Sequence, residues 1–134
     1  MPSIPNIGSV MTPFVFRVDI DASIGHAEDL MTDHGVRHLV VMQDGELVGA
    51  VSDRDLAFAS NGPDDSLRDR IRVREVCSLE PYVVDPEEPL DKVVSRMAEQ
   101  HIGSVIVREG GKVTGIFTAT DACRCLAALL AGSR

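Results

Sequence analysis

Two stretches of this chain set a hydroxyl and a carboxylate three residues apart behind a glycine: Gly49, Ser52 and Asp55, and again Gly115, Thr118 and Asp121. An ionised Asp only accepts hydrogen bonds and can hold two donors, while glycine admits a close approach that a Cβ would block. Where a helix begins at the hydroxyl, its first amides carry partial positive charge on which a phosphate can rest. The same Ser-x-x-Asp or Thr-x-x-Asp spacing also describes a relative of the capping box, in which hydroxyl and acid satisfy each other's backbone amides. Four residues alone leave both readings open. Arg54, inside the first stretch, adds a guanidinium suited to phosphate, although solvent or a neighbouring acid explains a surface Arg equally simply. A hydrolytic reading has only His38 with Ser52 and Asp55 to draw on. Nothing in their spacing gives triad geometry, so no catalytic residue is expected and the chain is not read as an enzyme.

The two stretches belong to a longer repeat. The interval from 49 to 115, and from 55 to 121, is 66 residues. In the same register Val10, Val18, Asp19, Met31, Val41 and Gly45 meet Val76, Val84, Asp85, Met97, Val107 and Gly111 without a gap. Apolar character is kept at Phe16 and Tyr82, Ile24 and Leu90, Val36 and Ile102. Two copies argue for a closed, pseudo-symmetric pair rather than an open solenoid.

Each copy reads as strand, helix, strand, strand, helix. In the first, Phe14 to Val18 is β-prone, Ser23 is an N-cap ahead of Ile24, Ala27, Leu30 and Met31 at helical spacing, and Gly35 is a C-terminal stop. Leu39–Met42 and Leu47–Val51 flank Gln43-Asp44-Gly45, a strong hairpin signal, and a helix follows from Asp53 to about Ser60. The second copy offers Tyr82–Val84, then Pro89 near a helix start, Val105–Val107, a Gly110-Gly111 turn, Val113–Phe117 and a last helix from Asp121 to about Leu130. Residues 61–66 have the composition of an exposed loop. Arg68, Arg70, Arg72 and Arg74 form a basic edge read as a solvated or salt-bridged connector. Phe14 and Phe16 share a face by alternation, with core packing as their default. The last helix is apolar on nearly every side except Arg124, which requires burial in its own core or against a partner subunit.

Composition bounds the partners. The chain has 134 residues, 44% hydrophobic and 25% charged, and its 13 Lys and Arg against 21 Asp and Glu leave a net charge of −8. That balance opposes a nucleic-acid backbone, and an anionic ligand needs a local attractor. No apolar run reaches the roughly 18 residues that span a bilayer, so no membrane partner is expected. Cys77, Cys123 and Cys125 lack disulfide-scaffold or zinc spacing. Reduced thiols and a cytoplasmic location are the simplest reading. On a helix Cys123 and Cys125 point about 200° apart, so they do not chelate one metal, and no metal site is expected.

Residues of about 8 to 130 resemble a tandem pair of cystathionine β-synthase (CBS) domains, a Bateman module. The resemblance rests on Ile7-Gly8-Ser9-Val10-Met11-Thr12, on Val36-Arg37-His38-Leu39-Val40-Val41, on the hairpin Asp44-Gly45-Glu46-Leu47-Val48-Gly49 and on Ser52-Asp53-Arg54-Asp55. It implies an α/β fold of two pseudo-symmetric β-α-β-β-α repeats packed as one module: domain 1 at 8–60, a connecting segment at 61–75 and domain 2 at 76–130. It further implies ligand clefts between the halves for an adenosine-containing molecule such as AMP, ADP, ATP or S-adenosylmethionine. Ser52, Asp55, Thr118 and Asp121 would hold ribose, Gly49 and Gly115 would permit close approach, and Arg37 and Arg54 would meet phosphate. Gly103 and Thr120 replace the two arginines in the second copy, so the two sites should handle phosphate unequally. The implied protein is a stand-alone regulatory homodimer with no resident cofactor and an unknown effector protein. The competing reading is a ligand-free interaction module acting through dimerisation or a separate effector.

Overall fold

The computed structural model describes residues 3–60 and 66–132. Most of the expected loop at 61–66 lies outside the described residues. The first repeat contains β1 (Arg17–Asp19), α1 (Ile24–His34), β2 (His38–Gln43), β3 (Glu46–Ser52) and α2 (Asp53–Ser60). A short α3 (Leu67–Arg70) leads to the second repeat: β4 (Tyr82–Val84), α4 (Leu90–Gln100), β5 (Ser104–Glu109), β6 (Lys112–Thr118) and α5 (Ala119–Gly132). The chain packs as two compact units, Phe16–Pro81 and a second unit that joins the described residues up to Val15 to those from Tyr82 onward.

In the Phe16–Pro81 unit the sheet order is β1-β2-β3, with β1 parallel and β3 antiparallel to β2. A parallel pair needs a crossover, and α1 supplies it. The Ser23 hydroxyl accepts the His26 amide at 3.1 Å, and Gly35 ends α1 in the left-handed region with φ 65°. Asp44 and Gly45 take φ 52° and 80°, the two positive values that a tight hairpin turn requires to match strand twist. Val18, Ile24, Met31, Leu39, Val41, Val51 and Leu56 close the core from strands and helices together. Burying each such side chain contributes about 1.5–3 kcal/mol. β1 is shorter than expected and starts at Arg17, whereas Phe16 stacks on the His34 ring with centroids 4.0 Å apart.

The second unit repeats the design. Its sheet order is β4-β5-β6, and the bulge after Val107 falls 66 residues beyond the bulge after Val41. Pro89 is the N-cap residue of α4, with extended backbone, at the helix start where the sequence placed it. His101 stands where Gly35 stands in the first copy and takes φ 56°, at a cost of about 1–2 kcal/mol for a residue with a Cβ. Val93, Val105, Val107, Phe117 and Ile7 form its core.

The units do not follow the sequence repeat, because each copy's lead-in packs on the other copy's elements. Ile7 and Gly8 donate to the Glu88 and Pro86 carbonyls, while Val73 and Arg74 donate to the Ala22 and Ile20 carbonyls. Thr12 bridges Ile116 on β6, and Ser78 bridges Ala50 on β3. Ile7 and Val73 are each wholly buried as the apolar plug of the unit that receives them. The basic edge at 67–75 is thus a structured lead-in, and it is salt-bridged, as its composition allowed. Arg68 pairs with Glu28 and Asp29 at 3.2 Å each, and Arg74 pairs with Asp21 at 2.8 Å.

Candidate functional site

Each candidate junction forms where the last strand of a repeat runs directly into its last helix. At the first, β3 ends at Ser52 and α2 begins at Asp53, whose amide donates to the Arg37 carbonyl at 2.9 Å. The Ser52 amide donates to Asp55 Oδ2 at 2.9 Å, and the Asp55 amide donates to Ser52 Oγ at 3.2 Å. This is the reciprocal capping arrangement that the spacing allowed. It leaves Asp55 Oδ1 without a hydrogen bond among the described residues, on a half-buried carboxylate. Asp55 lines an open cavity of about 340 Å³ together with Phe58, Ala59 and Val76. Phe58 is 82% exposed, an unusual state for a large aromatic side chain.

The second junction has the same capping bonds. The Thr118 amide donates to Asp121 Oδ2 at 2.9 Å, and the Asp121 amide donates to Thr118 Oγ1 at 3.4 Å. Here the other carboxylate oxygen is engaged as well. Asp121 Oδ1 accepts the Thr12 hydroxyl at 3.1 Å and Arg124 Nη1 at 3.4 Å, and the residue is only 6% exposed. Neither Thr12 nor Arg124 is singled out by the repeat signature, because both lie outside its Gly-x-x-Thr-x-x-Asp frame. The available signal was comparison at 66-residue spacing: Thr12 answers to Ser78 and Arg124 to Phe58.

Gly49 and Gly115 serve a close approach, and the approaching group is backbone. A Cβ on Gly49 would run into the Ser78 carbonyl, and one on Gly115 would lie 2.8 Å from the Thr12 carbonyl and against the Met11 sulfur. The lead-ins therefore lie against both junctions. Arg37 and Arg54 are exposed and join no ion pair among the described residues. Cys77, next to Ser78, has its thiol pushed up by burial, with the Asp55 carboxylate adding to the effect. Arg68 is held further toward its charged form by its hydrogen bond to Glu28, then by Asp29. Among the described residues no cluster of three or more His, Cys, Asp or Glu is arranged to hold a metal ion. No helix among them is long and apolar enough to cross a membrane.

Two copies of one β-α-β-β-α unit, each ending in a capped strand-to-helix junction, define a tandem α/β module. The CBS domain family matches residues 7–62 and 73–128, and the chain belongs to that family. An inosine-5′-monophosphate dehydrogenase of Korarchaeum cryptofilum is 32% identical over 108 residues, which are 80% of this chain and 21% of the dehydrogenase. The chain thus spans about a fifth of that relative. Among solved structures, an uncharacterized conserved protein from Pyrococcus horikoshii is 29% identical with a TM-score of 0.80, covering 94% of this chain and 95% of that one. The CBS domain pair of protein MJ0100, solved with 5′-methylthioadenosine and S-adenosyl-L-methionine, shares the fold at TM-score 0.82 and 23% identity, with coverage of 94% and 98%.

Proposed function

We propose that this protein is a regulatory module that binds an adenosine-containing ligand at the Gly49–Ser52–Asp55 junction and performs no catalysis of its own. The observation that carries the reading is Asp55, which lines the 340 Å³ cavity in the first turn of α2 and whose Oδ1 has no hydrogen-bond donor among the described residues. A ribose diol supplies the missing donors, and Arg37 and Arg54 supply exposed positive charge for a phosphate in a chain of net charge −8. The fold shared with the MJ0100 pair supports this ligand class. The Gly115–Thr118–Asp121 junction repeats the pattern with its carboxylate already bonded within the protein. Three free thiols fit a cytoplasmic setting.

Ligand occupancy acts by favouring one conformation of the module over another, and an effector protein reads the shift. Dimerisation runs through α5, where Leu126, Leu129 and Leu130 are each more than half exposed. Leu126→Glu with Leu130→Glu should convert the dimer to monomer in sedimentation velocity. Thermal shift against AMP, ADP, ATP, S-adenosylmethionine and guanine nucleotides tests the ligand. A true ligand stabilises by about 2.7 kcal/mol at a hundredfold excess over its Kd. A flat panel on folded protein returns the exposed leucines as the main functional surface and makes this an interaction module.

A further inference from the structure

The two junctions share a signature but not a state, and the difference lies in two residues that the signature does not contain. In the second unit the Thr12 hydroxyl and the Arg124 guanidinium converge on Asp121 Oδ1, and the carboxylate is 6% exposed. In the first unit the corresponding residues are Ser78 and Phe58. Ser78 Oγ accepts the Glu80 amide at 3.4 Å and makes no hydrogen bond to Asp55 among the described residues, and Phe58 has no group to offer a carboxylate. Among the described residues Asp55 Oδ1 has no hydrogen bond, and Asp55 and Phe58 both line the cavity.

We infer that Thr12 and Arg124 hold the Asp121 junction shut, so that each chain takes one adenosine ligand, at Asp55, with Phe58 as the aromatic surface for its base. This rests on the adenosine reading above. A carboxylate oxygen that already holds a hydroxyl and a guanidinium has little capacity left for a diol, and a ligand there must displace the part-buried Thr12 bond and the Arg124 bond, whose guanidinium side is exposed. Asp121 instead fastens the lead-in through Thr12, which also exchanges two backbone bonds with Ile116. At Asp55 Oδ1 an incoming diol meets no competing donor among the described residues, and an exposed aromatic ring one helical turn on offers a face for stacking.

Calorimetric titration with 5′-methylthioadenosine, which has no phosphate to confuse the charge effects, counts the sites. The expected result is one equivalent per chain. Asp55→Asn should weaken it roughly tenfold to a hundredfold, for loss of a bond to a charged acceptor, while Asp121→Asn changes it less than about twofold. Phe58→Arg, which copies the closed junction onto an exposed position, should weaken binding, and Thr12→Val with Arg124→Phe should raise the count to two. Two equivalents in the parent protein, or equal losses in the two Asp variants, overturn the inference. No heat with any variant, under a flat nucleotide panel, overturns the adenosine reading instead. The shut junction is then judged on unliganded protein by hydrogen exchange. Thr12→Val should speed exchange of the Ile7–Thr12 amides severalfold, whereas Ser78→Ala leaves the Val73–Ser78 amides unchanged. Unchanged exchange in Thr12→Val refutes the latch whether or not any ligand binds.

Discussion

Gly49→Ala should destabilise the unliganded protein severely, although the substitution adds one methyl group and touches no charged residue. The added Cβ collides with the Ser78 carbonyl oxygen, and Cys77 Sγ lies 3.6 Å away on the same side. That carbonyl belongs to the lead-in bridge, in which the Ala50 amide donates to Ser78 O at 3.0 Å and the Ser78 amide donates to Ala50 O at 2.9 Å. A backbone oxygen cannot rotate away as a side chain can, so the lead-in must retreat and strain both bonds. Two backbone bonds at about 0.5–1.5 kcal/mol each, and overpacking at about 1–3 kcal/mol, sum to roughly 4 kcal/mol. A domain of this size has only about 5–15 kcal/mol to lose, and each kcal/mol moves Tm by a few degrees. The expected fall is on the order of 10 °C in a circular-dichroism melt. Gly132→Ala, whose Cβ meets nothing within 4 Å at the end of α5, is the control and should melt at or slightly above the parent. A Gly49→Ala protein melting within about 2 °C of the parent would refute the close-approach argument and return Gly49 to a role in ligand contact alone.

Alkylation at neutral pH should label exposed Cys123 first and Cys77 last, because burial holds the Cys77 thiol protonated; mass mapping of the adducts reads the order. The raised Cys77 value also has a stability sign. Above the ordinary thiol range, near pH 8.5, the unfolded chain releases this proton while the folded chain retains it, so stability falls as pH rises. Urea midpoints of Cys77→Ala should fall less steeply than the parent's over that window. Arg68→Ala removes both ion pairs and the bond to the Gly25 carbonyl, so its Tm should drop, and the deficit should shrink in high salt. A fragment of residues 16–81 should resist limited proteolysis better than one of residues 1–60, since only the former keeps Val73 and the Ser78 bridge with the sheet that they complete.

The helices and hairpins were legible because their signals are local. Ser23, Gly35 and the Asp44-Gly45 turn each act within four residues, and all three take the geometry that the sequence requires. The capping at Ser52 and Asp55 was legible for the same reason. The lead-in exchange was not, because apolar periodicity states that Ile7 and Val73 are buried without saying in which core. The apolar surface of α5 illustrates the same limit. Its composition demanded a cover, yet Leu126, Leu129 and Leu130 lie open, since a sequence pattern does not separate self-burial from burial by a second copy. Phe14 was expected in a core by alternation, but the strand begins three residues later and leaves the ring 74% exposed. The closing of Asp121 by Thr12 required knowing that residues 109 positions apart in the chain meet.

The exchanged lead-ins also constrain how such a chain arises. A gene encoding one 66-residue copy yields a polypeptide whose apolar plug belongs on a neighbour, so the single copy is complete only as a reciprocally swapped pair. Fusing two copies in one reading frame turns that encounter into an intramolecular step and fixes the ratio of the halves at one to one. Once the halves are inherited together they no longer have to be identical. Phe58 on one side and Arg124 on the other are what that freedom permits: a duplicated scaffold in which the Asp121 carboxylate is tied to Thr12 and Arg124 while the matching positions at Asp55 hold Ser78 and Phe58.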